Sequence, residues 1–296
     1  MRWNHSLTIL TVTYQMKNKL IADAGSSKIE WLLLSDSGEI INRANTIGVN
    51  ALLADVDEIT GIFSKIADKL GVDGTLKEII YYGAGCATLE VCEKMRQAIA
   101  SVWDAGSIQV ESDLLGAARS LFGSSKGIAC ILGTGSNSCL YDGSSIQENI
   151  PSLGFILGDE GSGAALGKRL VADAFKGHLP KPIRDQFMKI FELSLADILE
   201  YTYRRPAANR FLASLVPFMK DHIWNPYIYS LVLEEFSLFL KRNVAMYDGA
   251  RSLPIAFTGS IAWHFSDILR EAADAQGLKV NIITKSPMDG LVAYHS

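Results

Sequence analysis

Short apolar runs alternate with polar turns in the first part of the chain. The turns are rich in glycine, serine and aspartate and lie at residues 25–27 and 35–38. Runs of this length between such turns predict three strands joined as hairpins. From residue 52 to residue 70, apolar side chains recur every three or four positions, which predicts an amphipathic helix. The predicted strands span residues 19–24, residues 29–34 and the segment from the second turn to Ile47.

The chain then continues as alternating strands and helices. Strands are predicted at residues 78–83 and 107–111, and helices at residues 89–103 and 114–122. The first half therefore has the order β-β-β-α-β-α-β-α, which is typical of an α/β domain.

The same order begins again at residue 127. Strands are predicted at residues 127–132, 138–141, 146–150, 253–257 and 279–284. Helices are predicted within residues 159–249, from the strand at 253–257 to about residue 275, and from Pro287 onward. Without a helical insertion at residues 178–249, the second half repeats the first. An internal duplication, with domains at residues 17–122 and 123–296, is the simplest explanation.

Composition and charge narrow the classes of protein. The chain has 296 residues, 48% hydrophobic and 20% charged, which fits about two globular domains. The net charge of −4 and the lack of a basic cluster argue against nucleic acid as a partner. No apolar stretch is long enough to span a membrane, and residues 1–15 lack the features of a signal peptide. Those residues are expected to be an extension ahead of a start at Met16.

The common nucleotide and metal motifs are absent from the sequence. The segment at residues 167–169 lacks the Ser or Thr that a P-loop needs after its lysine, and three G-x-G segments lack the third glycine of a dinucleotide fold. Residues 123–127 match G-x-S-x-G but follow a predicted helix, so a surface loop is expected. The histidines have no zinc-ligand spacing, and the four cysteines form no C-x-x-C pair, which fits a reducing cytoplasm.

The two Gly-Ser turns, at residues 25–27 and 133–137, are candidates for binding phosphate. Glycine and serine leave backbone N–H groups accessible, and the hydroxyls add further donors. Either turn alone is more often a plain hairpin, but equivalent turns in two halves favour one shared polyphosphate site.

Three acidic residues lie beside predicted turns or helix starts. Asp113 lies between a strand and a helix, the junction where open α/β sheets bind ligands, although a helix N-cap is an equally good interpretation. Asp159 is likewise either an N-cap or a substrate ligand. Asp23, at the mouth of the first hairpin, is a candidate for holding Mg²⁺ through water.

The chain resembles the N-acetylglucosamine kinase branch of the BadF/BadG ATPase family in five segments. These are D-x-G-x-S-K from Asp23, V-E-S-D-L-L-G-A-A from Val110, L-G-T-G-S-N-S from Leu132, G-D-E-G-S-G from Gly158 and F-T-G-S-I-A from Phe257. The resemblance covers nearly the whole chain from Lys17. It implies an α/β fold of two ribonuclease-H-like domains, as in actin and hexokinase, with ATP and Mg²⁺ in the cleft between them.

The resemblance also implies roles for individual residues. The ATP-binding residues would be Asp23, Gly25, Ser26, Ser27, Lys28, Gly133, Thr134, Gly135, Ser136, Gly259 and Ser260, with Asp23 next to Mg²⁺. The amino sugar would be bound by Asn50, Asp113, Thr134, Ser136, Asn137 and Asp159. Asp113 would be the catalytic base that accepts the proton of the sugar 6-hydroxyl. The implied activity is ATP-dependent phosphorylation of an amino sugar, above all N-acetylglucosamine. Separately, the aromatic side chains of the insertion predict that its aromatic face forms core or a homodimer surface.

Two other functions fit the same fold. A BadF-type ATPase activator would carry an iron–sulfur cluster on cysteine thiolates at a dimer interface, and Cys86, in a predicted loop, is expected to be exposed. A sugar-sensing transcriptional regulator would need a DNA-binding segment before Lys17 or a cysteine-rich zinc loop after the second turn, and the sequence predicts neither. The first turn departs from the family, which more often has three glycines and a threonine there, so an altered nucleotide affinity is expected.

Overall fold

The part of the chain that the structure describes contains two five-stranded sheets. The computed structural model describes residues 18–49, 51, 54–72 and 74–296, and the predicted extension at residues 1–15 lies outside them. No helix in the described ranges is both long and apolar enough to cross a bilayer.

The described residues of the first half form one sheet and three helices. Its elements are β1 (Lys19–Ala24), β2 (Lys28–Leu34), β3 (Ile40–Ile47), α1 (Val56–Leu70), β4 (Glu78–Gly83), α2 (Leu89–Ala100), β5 (Ile108–Ser112) and α3 (Asp113–Phe122). The strand order is β3-β2-β1-β4-β5, with β1 antiparallel to β2 and parallel to β4.

The second half forms the other sheet and carries the insertion. Its elements are β6 (Gly127–Leu132), β7 (Ser136–Tyr141), β8 (Ile146–Glu148), α4 (Gly154–Leu157), α5 (Gly163–Lys176), α6 (Lys181–Phe191), α7 (Leu195–Tyr203), α8 (Ala208–Ser214), α9 (Val216–Asp221), α10 (Pro226–Arg242), β9 (Ile255–Thr258), α11 (Ser260–His264), α12 (Ser266–Asp274), β10 (Val280–Thr284) and α13 (Met288–His295). The order β10-β9-β6-β7-β8 has the same connections as the first sheet. The predicted α/β class and the repeated order of elements are confirmed.

Helix α1 illustrates how the apolar pattern becomes a core. Asp55 accepts a hydrogen bond from the backbone N–H of Glu58 and so caps the helix, which starts at Val56 and not at the predicted residue 52. The apolar stripe is buried against the sheet, where Phe63 meets Trp31 edge to face with ring centroids 5.1 Å apart. Gly71, in a left-handed conformation, ends the helix.

Helices α3 and α13 join the two halves. Leu114, Ala118 and Leu121 of α3 pack into a buried cluster with Ala129, Cys139 and Tyr141 of the second sheet. Conversely, α13 of the second half packs on the first sheet: Met288 and Leu291 contact Ile21, Ile80 and Tyr82. Because α3 starts where β5 ends and then packs on the other sheet, its first residue lies where the two halves meet.

For two of the elements that end elsewhere than predicted, the structure shows the reason. The single helix expected up to residue 275 is divided at Phe265, whose φ of −119° and ψ of 31° are not helical and whose side chain is buried. Strand β8 ends at Glu148 because the Asn149 amide turns back to bond the carbonyl of Ser138 at 2.7 Å. In both places a tertiary contact sets the boundary.

Candidate active site

Two equivalent turns from the two halves meet face to face. The first loop (residues 25–27) joins β1 to β2, and the second loop (residues 133–135) joins β6 to β7. Each is a tight turn, closed by Gly25 N–H to the carbonyl of Lys28 at 3.0 Å and by Gly133 N–H to the carbonyl of Gly135 at 2.9 Å. Across the gap, the hydroxyl oxygens of Ser27 and Thr134 lie 2.7 Å apart.

A cavity of about 350 Å³ opens beside this contact. Its wall combines both loops, the start of α11 and a face of α8. The lining residues are Ser27, Gly133, Thr134, Arg210, Ala213, Ser214, Ser260 and Ile261. Four of the predicted ATP-binding residues, Ser27, Gly133, Thr134 and Ser260, therefore share one cavity.

Helix α5 holds the second loop in place. Its first N–H groups, which have no partner inside a helix, donate to that loop: Gly163 N–H to the carbonyl of Gly133 at 2.8 Å, and Ala164 N–H to the carbonyl of Thr134 at 3.0 Å. Ser162 caps the helix through its side chain. The loop is thus fixed to a fourteen-residue helix and not merely closed on itself.

Gly259 lets the third predicted segment approach the second loop. Its φ is +121°, a conformation that side chains rarely adopt. A Cβ at this position would lie 2.3 Å from the carbonyl oxygen of Leu132 and 3.3 Å from the nitrogen of Gly133. Glycine is therefore required for Ser260 to reach the cavity wall.

Acidic side chains lie near the first loop. Burial raises the pKa of the Asp23 carboxyl to about 7; the negative charges of Asp113 and Glu30 add to the rise, and the Lys28 ammonium opposes it. Glu30 is itself buried and forms ion pairs with Lys28 at 3.3 Å and Arg43 at 3.4 Å. The carboxylate of Asp113 is thus close enough to Asp23 for its charge to raise the pKa of Asp23.

Asp113 is the first residue of α3 and not its N-cap. Ser112 is the N-cap, since its hydroxyl accepts from the backbone N–H of Leu115 at 3.2 Å. The Asp113 carboxylate accepts from the N–H of Leu114 at 2.9 Å. Burial raises the pKa of Asp113 to about 6, against the lowering effect of that hydrogen bond. The interpretation of Asp113 as an N-cap was therefore wrong, and among the described residues its carboxylate bonds the local backbone.

Asp159 is buried beneath the second loop. Its carboxylate accepts from the backbone N–H of Ser136 at 3.1 Å and faces Gly135, and its own φ is +55°. Burial raises the pKa of Asp159 to about 6. The N-cap interpretation was wrong here too, because Ser162, three residues later, caps α5.

Three other predicted site residues do not line the cavity or lie outside the described residues. Asn137 is in β7, and its side-chain oxygen accepts from the Asn149 amide at 2.9 Å. Lys28 is exposed and pairs with Glu30 instead of lining the cavity. Asn50 lies outside the described residues.

Sequence reasoning missed Arg210. It lies within the insertion that was expected to be core or dimer surface, yet it lines the cavity, and its guanidinium donates to the carbonyl of Gly48 at 3.1 Å. Nothing near residue 210 distinguishes this arginine from its neighbours. The one available signal was the spacing of Gly163 and Gly167 on α5, which is typical of a helix that another helix approaches closely.

Cys86 does not have the expected exposure. Its side chain is 3% exposed, and burial raises the pKa of its thiol to about 12. Cys130 and Cys139 are buried in β6 and β7, and Cys92 is half-buried. The prediction of an exposed Cys86 was therefore wrong: the loop after β4 folds inward and its thiol lies in the core of the first half.

Comparison with solved structures places this arrangement among known folds. A proposed N-acetylglucosamine kinase from Porphyromonas gingivalis is 40% identical, with 93% of this chain and 98% of that chain covered and a TM-score of 0.85. A proposed N-acetylglucosamine kinase from Chromobacterium violaceum is 18% identical, covering 95% and 99%, with a TM-score of 0.74. A ROK family glucokinase from Streptomyces griseus, solved with glucose and AMPPNP, is 13% identical, covering 94% and 97%, with a TM-score of 0.56. The last two demonstrate the fold alone, which is the predicted actin-like ATPase and sugar kinase fold.

Sequence comparison gives the family. No curated protein matches the chain. The model of the BadF/BadG/BcrA/BcrD ATPase family matches residues 22–216, which is well over half of the chain. Together with the 40% identity to a structure that covers 93% of the chain, this match confirms the resemblance stated above. The chain belongs to the BadF/BadG/BcrA/BcrD ATPase family.

Proposed function

We propose that the protein transfers the γ-phosphoryl group of ATP to the 6-hydroxyl of an amino sugar, with N-acetylglucosamine as the leading substrate. The observation that carries this proposal is the meeting of Ser27 and Thr134, from opposite halves, beside a cavity. Asp23, near the end of the strand that leads into the first loop, is close enough to Asp113 for the charge of Asp113 to raise its pKa. The sugar preference rests on the 40% identical relative from Porphyromonas gingivalis.

The loops would hold the phosphate chain between them, in a cleft between domains at residues 17–122 and 123–296. Backbone N–H groups and hydroxyls in such turns suit phosphate oxygens. Ser26, Ser27, Thr134 and Ser136 supply hydroxyls, and the small residues Gly25, Gly133 and Gly135 keep the backbone accessible. Gly259 and Ser260, where α11 begins, would bind the adenosine part.

The carboxylates near the first loop fit Mg²⁺. Burial, with the negative charges of Asp113 and Glu30, raises the pKa of Asp23 to about 7, so a cation there would offset an existing unfavourable charge. Mg²⁺ keeps most of its waters and uses few protein carboxylates, so Asp23 alone could hold it through water. When bound, Mg²⁺ would neutralise charge on the phosphate oxygens.

Asp113 would act as the general base. Its carboxylate accepts the proton of the sugar 6-hydroxyl as that oxygen attacks the γ-phosphorus, the bond to the bridging oxygen breaks, and ADP leaves. A pKa raised to about 6 by burial suits this role, since the group is ionised at neutral pH yet basic enough to take a proton. Asp159 and Asn137, with Asn50, would hydrogen-bond the sugar.

Burial of the thiols favours a kinase over the ATPase activator. A thiolate-bound cluster between two subunits needs accessible cysteines of lowered pKa. Here Cys86, Cys130 and Cys139 are buried, and burial raises the pKa of each of these thiols. The activator remains the second candidate, because the family model that matches the chain is that of an ATPase family.

A substrate panel tests the proposal. The purified protein is incubated with ATP, Mg²⁺ and one of N-acetylglucosamine, glucosamine, N-acetylmannosamine, N-acetylmuramic acid or glucose, and sugar phosphate is detected by mass spectrometry. We expect turnover with N-acetylglucosamine and a 6-phosphate product. ATP hydrolysis without any phosphorylated sugar would contradict the proposal and favour the activator.

A further inference from the structure

The side chain of Arg210 crosses from one half of the molecule to the other. Arg210 lies on α8 of the insertion, and its guanidinium donates to the carbonyl of Gly48 at 3.1 Å, 162 positions away in the chain. The N–H of Gly48 in turn donates to the carbonyl of Ser27 at 2.9 Å. Arg210 is therefore one backbone link away from the first loop.

Arg210 also supplies the cavity's charge. Of the described residues that line the cavity, Arg210 is the one with a charged side chain; the others are glycine, alanine, isoleucine and hydroxyl residues. A guanidinium has five N–H donors, and the contact with Gly48 uses one of them. Its planar fork matches phosphate oxygens well, which makes arginine well suited to binding phosphate groups.

The packing of α8 on α5 fixes where Arg210 lies. A Cβ on Gly167 of α5 would be 2.0 Å from the carbonyl oxygen of Leu212, and one on Gly163 would be 3.0 Å from the Cβ of Ala213. The two helices are thus in direct backbone contact. Because the start of α5 also bonds the carbonyl of Gly133, one rigid unit carries both the second loop and Arg210.

We propose that Arg210 is a phosphate-binding residue whose guanidinium contacts the phosphate chain of the nucleotide held between the two loops. This proposal rests on the proposed function, because it assumes that a nucleoside polyphosphate occupies the cavity. It gives the helical insertion a role in binding the phosphates. Helix α8 places the Arg210 guanidinium in the cavity, and the hydrogen bond of Arg210 to Gly48 positions the guanidinium near the first loop.

The test compares nucleotides that differ only in their phosphates. Isothermal titration calorimetry measures the Kd of adenosine, ADP and ATP, with Mg²⁺, for the wild type and for Arg210→Gln, Arg210→Lys and Arg204→Gln. The last variant is the matched control, since Arg204 lies in the same insertion with 82% of its side chain exposed. Melting temperatures establish that each variant is folded.

We expect Arg210→Gln to weaken ADP or ATP binding by at least about tenfold, the size of one hydrogen bond to a charged group, and to leave adenosine binding within about twofold. Arg210→Lys should recover part of the loss because it restores the charge without the fork. Arg204→Gln should change neither value.

An equal loss for adenosine and for ATP would overturn the proposal, because it would make Arg210 a clasp between the halves and not a phosphate ligand. Unchanged ATP binding in a folded Arg210→Gln variant would overturn it as well. Failure of the proposed function has a different result: the wild type itself would fail to bind ATP, or would bind ATP without phosphorylating any sugar.

Discussion

The hydroxyl oxygens of Ser27 and Thr134 lie 2.7 Å apart, although 107 positions separate the two residues. Each hydroxyl comes from the turn after the first strand of its half, so the duplicated topology is what brings them together. A phosphoryl group bound by both hydroxyls would have to replace this hydrogen bond. Under the proposed function, nucleotide binding would therefore separate these two hydroxyls.

Removing these hydroxyls tests whether both loops bind one ligand. Ser27→Ala and Thr134→Ala should each weaken ATP binding by about 1–2 kcal/mol, since each removes a hydrogen bond to a charged group. The double variant should lose less than the sum, because the two hydroxyls share one phosphate chain. Thr134→Ser is the control that keeps the hydroxyl. Calorimetric titration with ATP gives all four values, and strict additivity would count against a shared site.

Gly133 offers a sharper test of the second loop. Nothing lies within 4 Å of a Cβ at this position, and φ is not in the left-handed region, so alanine fits the folded protein. Gly133→Ala should change the free energy of unfolding by less than about 0.5 kcal/mol, yet weaken ATP binding at least tenfold (about 1.4 kcal/mol), because the methyl group enters the cavity.

The comparison for Gly133 is Gly259. There the added Cβ meets a carbonyl oxygen at 2.3 Å on a backbone with φ of +121°, so Gly259→Ala should lower the free energy of unfolding by about 2–4 kcal/mol. Urea unfolding distinguishes the two variants. If Gly133→Ala bound ATP as the wild type does, the second loop would not be a phosphate site.

The charge on Asp23 should destabilise the ligand-free protein. Its pKa is about 7 when folded, above the usual value, so the folded state binds the proton more tightly than the unfolded state. Stability from this group is complete below the unfolded pKa and is lost as the pH rises to about 7. Asp23→Asn, which mimics the protonated form, should therefore raise the free energy of unfolding by about 1–3 kcal/mol near pH 8.

The pH dependence supplies the control for Asp23. The gain from Asp23→Asn should shrink to nothing as the pH falls to about 4. The pKa of Asp142 is shifted in the opposite direction, to about 2, because Ser145 and Ser144 donate hydrogen bonds to its carboxylate. Asp142→Asn should therefore lower the free energy of unfolding at neutral pH. Urea unfolding at several pH values measures both variants. If Asp23→Asn lowered the free energy of unfolding near pH 8, the ionised Asp23 carboxylate would not be unfavourable in the folded protein.

The period of the apolar positions was enough to predict the repeated order of strands and helices, since the burial of one face depends on local spacing. Helix starts were less predictable. Ser112 and Asp113 are adjacent and both are good N-caps, and only the geometry of α3 makes Ser112 the cap. At Asp159, the glycine-containing turn before the helix places the N-cap at Ser162. Asp159 is therefore not used as a cap, and its carboxylate faces the second loop.

Arg210 could not be predicted for a different reason. Its position depends on the contact between α5 and α8, and thus on the absence of a side chain at Gly167, forty-three positions earlier in the chain. The inward turn of Cys86 likewise depends on packing within the first half. Sequence motifs predict the site residues that lie in or next to a loop. Residues that reach the site from a distant helix can be identified only from the packed structure.

The most direct test of the central claim is the rate of phosphoryl transfer to N-acetylglucosamine by Asp113→Asn, measured together with its affinity for ATP. We expect the first-order rate of sugar phosphate formation to fall by about 10²–10⁴, the usual contribution of a positioned base, while the Kd of ATP stays within about threefold of the wild type. Formation of N-acetylglucosamine 6-phosphate at the wild-type rate by this variant would contradict the account.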